Sequence, residues 1–300
     1  MAHAAGVRLP FENTPAAVRA WVDRALGSAV VSAATQQGGF SPGVAARLVT
    51  ASGRRAFVKA VGTALNPKTP SLFRNEITAV QAIGSLPSAP RLLDVYDDGD
   101  WVGLLFEDIS GWMPSHPWVQ SEVDRVLDAL ASLTDALYPS PWPDAPVVAV
   151  RSREFLSRWD QVLADGLAVP DWLVGRVEEL AALAQDTLRV MADGKALAHY
   201  DLRADNIILT DDRVVFIDWA HPGLGPRWTD TVILQADIRS SAVKLPELPD
   251  DPAITGFIAA IAGGQWWGAA QPAPPGLPTI RAWQRSQALV HLDWVRERLG

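Results

Sequence analysis

The chain has no cysteine, and only four lysines, at 59, 68, 195 and 244, stand against twenty-two arginines. Without cysteine, disulfides and thiolate metal sites are excluded. The five histidines follow none of the spacings that hold zinc. The first residues, MAHAAGVRLPFENTP, lack an apolar core behind a basic stretch, so no signal peptide is expected. Long hydrophobic runs are scarce too. The uncharged stretch from Ile254 towards Pro275 is interrupted by Gly263-Gly264 and crowded with proline at its end, which is too short and glycine-rich for a membrane span. A cytoplasmic protein is expected. The net charge of −8 argues against a nucleic-acid or anionic-membrane partner, which would call for clustered Lys and Arg, and is compatible with a cationic ligand. What remains, 48% hydrophobic and 20% charged residues over 300 positions, is ordinary for a globular chain of one large or two modest domains.

The chemistry concentrates between Leu197 and Trp219, LAHYDLRADNIILTDDRVVFIDW. Two apolar runs, 206–209 and 213–217, flank the turn Thr210-Asp211-Asp212 and predict a short hairpin. His199-Tyr200-Asp201 precedes the first run, Asn206 follows Asp201 by five residues, and Asp218 follows the second run. The hairpin should draw Asp201, Asn206 and Asp218 towards one end. That trio suits Mg²⁺, which takes oxygen ligands and is commonly shared between one or two carboxylates and phosphates. Singly, Asp and Asn in turns serve backbone capping; the ordered set between two strands is what points to chemistry.

The pattern His-x-Asp-x-x-x-x-Asn, hairpin, then Asp resembles the catalytic and metal-binding segments of the protein-kinase fold. The form Ile217-Asp218-Trp219, with Gly225-Pro226 and Asp230 beyond, resembles the aminoglycoside phosphotransferase family in particular. Tyr200 departs from that family, which usually has glycine there. The resemblance implies an α+β, two-lobed protein-kinase-like fold: a small lobe (1–109) with an antiparallel sheet plus a helix, binding nucleotide, and a large mainly helical lobe (110–300) with the catalytic loop and the acceptor site. It implies transfer of the γ-phosphoryl group of ATP or GTP to a hydroxyl of a small molecule, an aminoglycoside-type or other antibiotic first. A metabolic alcohol (amino sugar, choline or homoserine) and a non-catalytic nucleotide-binding protein stay open as alternatives. On that reading Asp201 accepts the hydroxyl proton, Asn206 and Asp218 hold Mg²⁺, Arg203 faces phosphate or the surface, and His199 buttresses the loop.

Further assignments follow from the rest of the chain. Strands are expected at 30–34, 45–50, 55–60, 91–95 and 101–106, and a helix over 14–26 with Thr14 as its N-cap. Lys59 is an isolated cation inside the apolar strand Phe57-Val58-Lys59-Ala60-Val61, resembling the phosphate-binding lysine of kinases. Glu76, opening a helix seventeen residues on, would pair with it. The stretch Gln36 to Gly43, with Gly39 and Ser41, would offer backbone N–H groups to phosphates. Phe106, Glu107 and Ile109 resemble the interlobe hinge whose backbone reads adenine, with no role for the Glu107 side chain. Helices are expected at 123–137, 155–163, 173–191, 230–243, 251–262 and 279–299. Of the thirteen tryptophans, Trp219 is expected beneath the metal site. Trp266, Trp267, Trp283 and Trp294 are candidates for a substrate cleft, with core packing the favoured alternative for each. Sequence leaves the oligomeric state open.

Overall fold

The computed structural model describes residues 8–36, 42–274 and 278–300. In chain order its strands are β1 (Val30–Thr35), β2 (Val44–Thr50), β3 (Arg55–Gly62), β4 (Leu92–Asp97), β5 (Trp101–Glu107), β6 (Ala196–Ala198), β7 (Ile207–Leu209), β8 (Val214–Phe216) and β9 (Gly223–Gly225). The helices are α1 (Ala16–Leu26), α2 (Thr69–Ile83), α3 (Gln120–Ala136), α4 (Val148–Arg151), α5 (Arg153–Leu156), α6 (Trp159–Ala164), α7 (Val177–Ala192), α8 (Thr229–Ile238), α9 (Pro252–Ala269) and α10 (Ile280–Leu299). None of the described helices is long and apolar enough to cross a membrane. The chain is α+β and divides into two compact units. One runs to Pro114 and includes Ala204–His221; the other holds Ser115–Arg203 and Pro222–Gly300. The expected boundary after Ile109 thus lies close to the first change of unit, and the hairpin after Arg203 belongs with the N-terminal residues.

In the first unit five antiparallel strands take the order β1-β2-β3-β5-β4. Alternation along β3 sends Ala56, Val58 and Ala60 into one core with Leu48, Leu105 and the α1 residues Val18, Trp21, Val22 and Leu26. Phe57 and Lys59 therefore lie on the opposite face. Thr14 is not the α1 N-cap. Pro15 takes that position, while the Thr14 hydroxyl donates to Phe11 O at 2.7 Å and closes the preceding 3-10 turn. Nor does Glu76 open a helix: α2 begins at Thr69, with Pro70 in its first turn and the Asn66 side chain accepting from the Lys68 and Thr69 N–H groups. The β7–β8 hairpin joins this unit through reciprocal bonds between Trp112 and Leu209 (2.9 and 2.8 Å) and a bond from Phe216 N to Ser88 O at 2.9 Å.

The second unit is helical around α7, α9 and α10, with the small β6–β9 pair at its margin. Its core joins Leu156, Trp159, Leu180, Leu188, Phe257, Ile258 and Leu292. The expected helix 155–163 is broken into α5 and α6. Conversely α9 runs seven residues past its expected end at 262. Gly263 and Gly264 there are not breakers: a Cβ on either would come within 2.7 Å of the Trp159 ring or 2.5 Å of the Phe155 ring, so the helix needs glycine to pack. Trp266 and Trp294 are buried in this core, with Arg285 stacked 3.5 Å from the Trp266 ring centroid and Arg239 4.6 Å from that of Trp294.

Candidate active site

Lys59 enters from the centre of the sheet, opposite Ala45 on β2 and Leu104 on β5. Its Nζ lies 2.5 Å from Glu76 Oε2 and 2.6 Å from Asp218 Oδ1, with the Phe73 ring centroid 5.1 Å away. Phe73 and Glu76 share one face of α2, three residues apart, which places a ring and a carboxylate together against the lysine. Burial disfavours charge on Lys59, yet the two carboxylates outweigh it and raise its pKa. Glu76, 1% exposed, is raised to about 7, by burial first and then by Asp218, against the pull of Lys59. Asp218 is the more open partner, its side chain 42% exposed. It follows β8 in a left-handed conformation, φ 64°, which Asp tolerates better than most residues. Below it Trp219 is fully buried, its indole N–H donating to Phe216 O at 2.8 Å. Arg8 also belongs to this region. It bridges Gly43 in the backbone, and its half-buried guanidinium is attracted by Asp218.

Asn206 is buried at the start of β7, and its carbonyl accepts from Ile217 N at 2.9 Å, tying the two ends of the hairpin together. Asn206 and Asp218 are thereby neighbours across one ribbon end. Among the described residues no group of three or more His, Asp or Glu side chains could hold a metal by itself. The amide and the carboxylate are hard oxygen donors, however, and one carboxylate is what Mg²⁺ asks of a protein when phosphates supply other ligands, so the pair fits that ion.

The residues expected to form a hinge, Phe106, Glu107 and Ile109, lie at and just beyond the end of β5 in the same sheet. Phe106 faces Phe57 across β3, beside Arg47 on β2. At the end of β5 the ladder changes hands: Glu107 N donates to Arg91 O at 3.0 Å, but Arg91 N donates to the Glu107 side chain at 3.1 Å, and Arg213 holds the same carboxylate at 3.0 Å. The Glu107 side chain, given no role from sequence, takes a bond that its own carbonyl would otherwise receive. Asp108, its side chain 3% exposed, accepts from Arg55 at 2.7 Å and lies 3.5 Å from Arg47 Nε. Arg47 Nη2 donates to Ile109 O at 2.9 Å. Gly39 and Ser41 lie outside the described residues. Gly43 just after them has φ 126°, and a Cβ there would come within 2.6 Å of Ala60 O, so the chain meets β3 closely there only as glycine.

The loop carrying Asp201 belongs to the helical unit. His199 is buried, and its Nδ1 accepts from Asp201 N at 3.3 Å, which puts the ring proton of the neutral form on Nε2. Asp230, at the start of α8, accepts from His199 N at 2.7 Å and Tyr200 N at 2.8 Å. Burial raises the Asp230 pKa to about 6 while the two N–H groups pull the other way. Sequence marked Asp230 only as part of a motif; its work as the loop's backbone anchor was not assigned. Tyr200 occupies φ 65°, a conformation that suits glycine. Its ring lies 6.4 Å from Phe257 and 5.6 Å from the Arg151 guanidinium, and its hydroxyl bonds the Ser152 side chain. Arg203 Nη1 is 3.0 Å from Asp201 Oδ1, so the cation next to the carboxylate is in ion-pair contact with it.

Residues 37–275 match the model of the phosphotransferase enzyme family. No curated protein sequence matches the chain. Among solved structures, the chain resembles a thermostable mutant of aminoglycoside phosphotransferase APH(4)-Ia in a ternary complex with ADP and hygromycin B, at 15% identity and TM-score 0.61 over 95% of this chain and 99% of that one. It also resembles APH(2'')-IIa in a ternary complex with streptomycin and ATP (12% identity, TM-score 0.55, 92% and 96% covered). A third likeness is to a protein assigned as a fructosamine-3-kinase from Haemophilus somnus 129PT (11% identity, TM-score 0.53, 94% and 97% covered). The fold is the one implied by the sequence resemblance, an antiparallel sheet with its helix and a mainly helical part.

Proposed function

The chain belongs to the phosphotransferase enzyme family and is a small-molecule kinase; we propose that it moves the γ-phosphoryl group of ATP or GTP to a hydroxyl of an aminoglycoside-type or other antibiotic. The observation that carries this reading is the Lys59–Glu76–Asp218 contact, a single cation fixed on a rigid strand between one buried carboxylate and one open one. Phosphoryl transfer asks a protein mainly for positioning and charge neutralisation. Lys59 would hold phosphate oxygens, kept in place by Glu76. Asn206 and Asp218 would hold Mg²⁺, which when bound supplies positive charge against the β- and γ-phosphates. Asp201 would orient the acceptor hydroxyl and take its proton, and Arg203 would keep that carboxylate in place until the acceptor arrives. The backbone of Phe106, Glu107 and Ile109 would receive the purine, and the stretch with Gly39 and Ser41 the phosphates. A cytoplasmic setting goes with an ATP donor.

The antibiotic class is favoured by the hygromycin B and streptomycin bound in the two similar structures. It is also favoured by the net charge of −8, which suits a cationic acceptor. The likeness to an assigned fructosamine-3-kinase supports a second reading, a metabolic small-molecule kinase. Incubating purified protein with Mg-ATP and a panel of aminoglycosides, a macrolide, amino sugars, choline and homoserine separates the two. The expected result is an ATP-dependent mass gain of one phosphate on an antibiotic. Phosphorylation confined to a metabolic alcohol selects the second reading, and nucleotide binding with no hydrolysis or transfer to any acceptor rejects both.

A further inference from the structure

The hinge geometry bears on which purine the site accepts. Arg47, Phe57 and Phe106 form one cross-strand row, and Lys59 stands two residues further along β3 on the same face. The row is about 7 Å from the lysine, one pleat repeat. Arg47 is thus the cation at the base end of the face whose other cation serves the phosphates. Its Nη2 donates to Ile109 O at 2.9 Å while its Nε faces Asp108. Asp108 is held independently by Arg55 at 2.7 Å.

We propose that Arg47 makes this hinge selective for adenine over guanine nucleotides. The inference rests on the reading of residues 106–109 as the purine-binding hinge. A hinge backbone can offer an acceptor at Glu107 O, a donor at Ile109 N and a second acceptor at Ile109 O. Adenine presents a donor, N6–H, beside an acceptor, N1, and is served by Glu107 O and Ile109 N. The ladder favours that use, since Arg91 N is bonded to the Glu107 carboxylate and not to the Glu107 carbonyl. Guanine presents the acceptor O6 beside the donors N1–H and N2–H. It can use Ile109 N only by shifting along the hinge, so that its donors face Ile109 O. Arg47 already donates to that oxygen and has only further donors to offer, because a guanidinium has no acceptor. Guanine's donors therefore compete for an oxygen that already takes one bond, and they approach it against a positive charge.

The test needs no acceptor. Calorimetry with ADP and with GDP, each with Mg²⁺, is run on the full-length protein, Arg47→Met and Arg47→Lys. Asp108 keeps Arg55 in every variant, and Arg47→Ala is a second donor-free replacement should Arg47→Met not fold. Wild type should bind ADP at least about tenfold more tightly than GDP, the order expected for a hydrogen bond lost to that competition. Arg47→Met should narrow the ratio by tightening GDP, with ADP changed about twofold or less, while Arg47→Lys should keep the preference. A wild type without preference, or a ratio unchanged in the donor-free variants, overturns the inference and leaves the hinge reading standing. Binding of neither nucleotide to the wild type rejects the hinge reading and this inference together.

Discussion

Tyr200 and Asp218 share a backbone conformation found at no other non-glycine residue described, φ 65° and 64°. For Asp218 it is inexpensive. For Tyr200 a left-handed backbone costs on the order of 1–2 kcal/mol, offset by burying the ring against Phe257 and bonding the hydroxyl to Ser152. Truncating a fully buried aromatic costs about 3–5 kcal/mol, and the partly buried Tyr200 stands at the low end of that range. Tyr200→Gly should therefore lower unfolding stability by roughly 2 kcal/mol net of the relieved strain, and Tyr200→Phe by about 1 kcal/mol for the lost hydrogen bond. Urea titrations read both. A Tyr200→Gly variant more stable than wild type would mean that strain outweighs packing.

Asn also tolerates positive φ, so Asp218→Asn changes charge without forcing the backbone. Its Mg-nucleotide affinity should fall together with transfer. Asp201→Asn should lose about 10²- to 10⁴-fold in kcat, the range for a positioned base, with nucleotide affinity near wild type. Calorimetry and a transfer assay separate the two. Loss of nucleotide binding in Asp201→Asn alone would exchange the roles.

Replacing Lys59 with Ala removes the cation proposed to hold phosphate and also leaves Glu76 buried without its partner cation. Breaking such a pair costs about 3–5 kcal/mol, so low activity in Lys59→Ala mixes two effects. Lys59→Met with Glu76→Gln should recover most of that stability and none of the transfer. If the double variant transfers phosphate, Lys59 is only a strand residue.

His291 on α10 gives a pH signature. Burial, helped by Arg239 and opposed by the bond to Gln287 O, lowers its pKa from 6.5 to about 4. The folded state thus binds its proton less tightly than the unfolded state. The associated stability is fully present above pH 6.5 and is lost as pH falls towards 4, a change on the order of 3 kcal/mol. His291→Gln should flatten this part of the acid limb, measured as the difference in unfolding free energy between pH 7 and pH 5. An unchanged slope would place the sensitivity in other groups.

The residues legible in the sequence were those whose meaning is local. A lone lysine in an apolar strand marked Lys59, which the structure sets beside Glu76 and Asp218, and the hairpin expected in the sequence between Asp201 and Asp218 forms as β7–β8. Arg47 was not legible, because its reach to Ile109 depends on β2, β3 and β5 lying side by side, which no local pattern encodes. Glu107 was passed over because a carboxylate at a strand end is ordinarily solvated, whereas here it replaces a main-chain acceptor. The length of α9 was misjudged for a related reason: Gly263 and Gly264 weaken a helix by propensity, but Trp159 and Phe155 require their missing side chains.

Asp230 grips the loop before Asp201 solely by peptide N–H groups, those of His199 and Tyr200. Such a clasp is blind to side-chain identity. The position at 200 can change from the smallest residue to one of the largest while the two bonds that set the path of the chain remain the same. Substitution at that position is then limited by its left-handed backbone and by what the neighbouring helices can accommodate, not by the clasp, which holds the chain leading to Asp201 in either case.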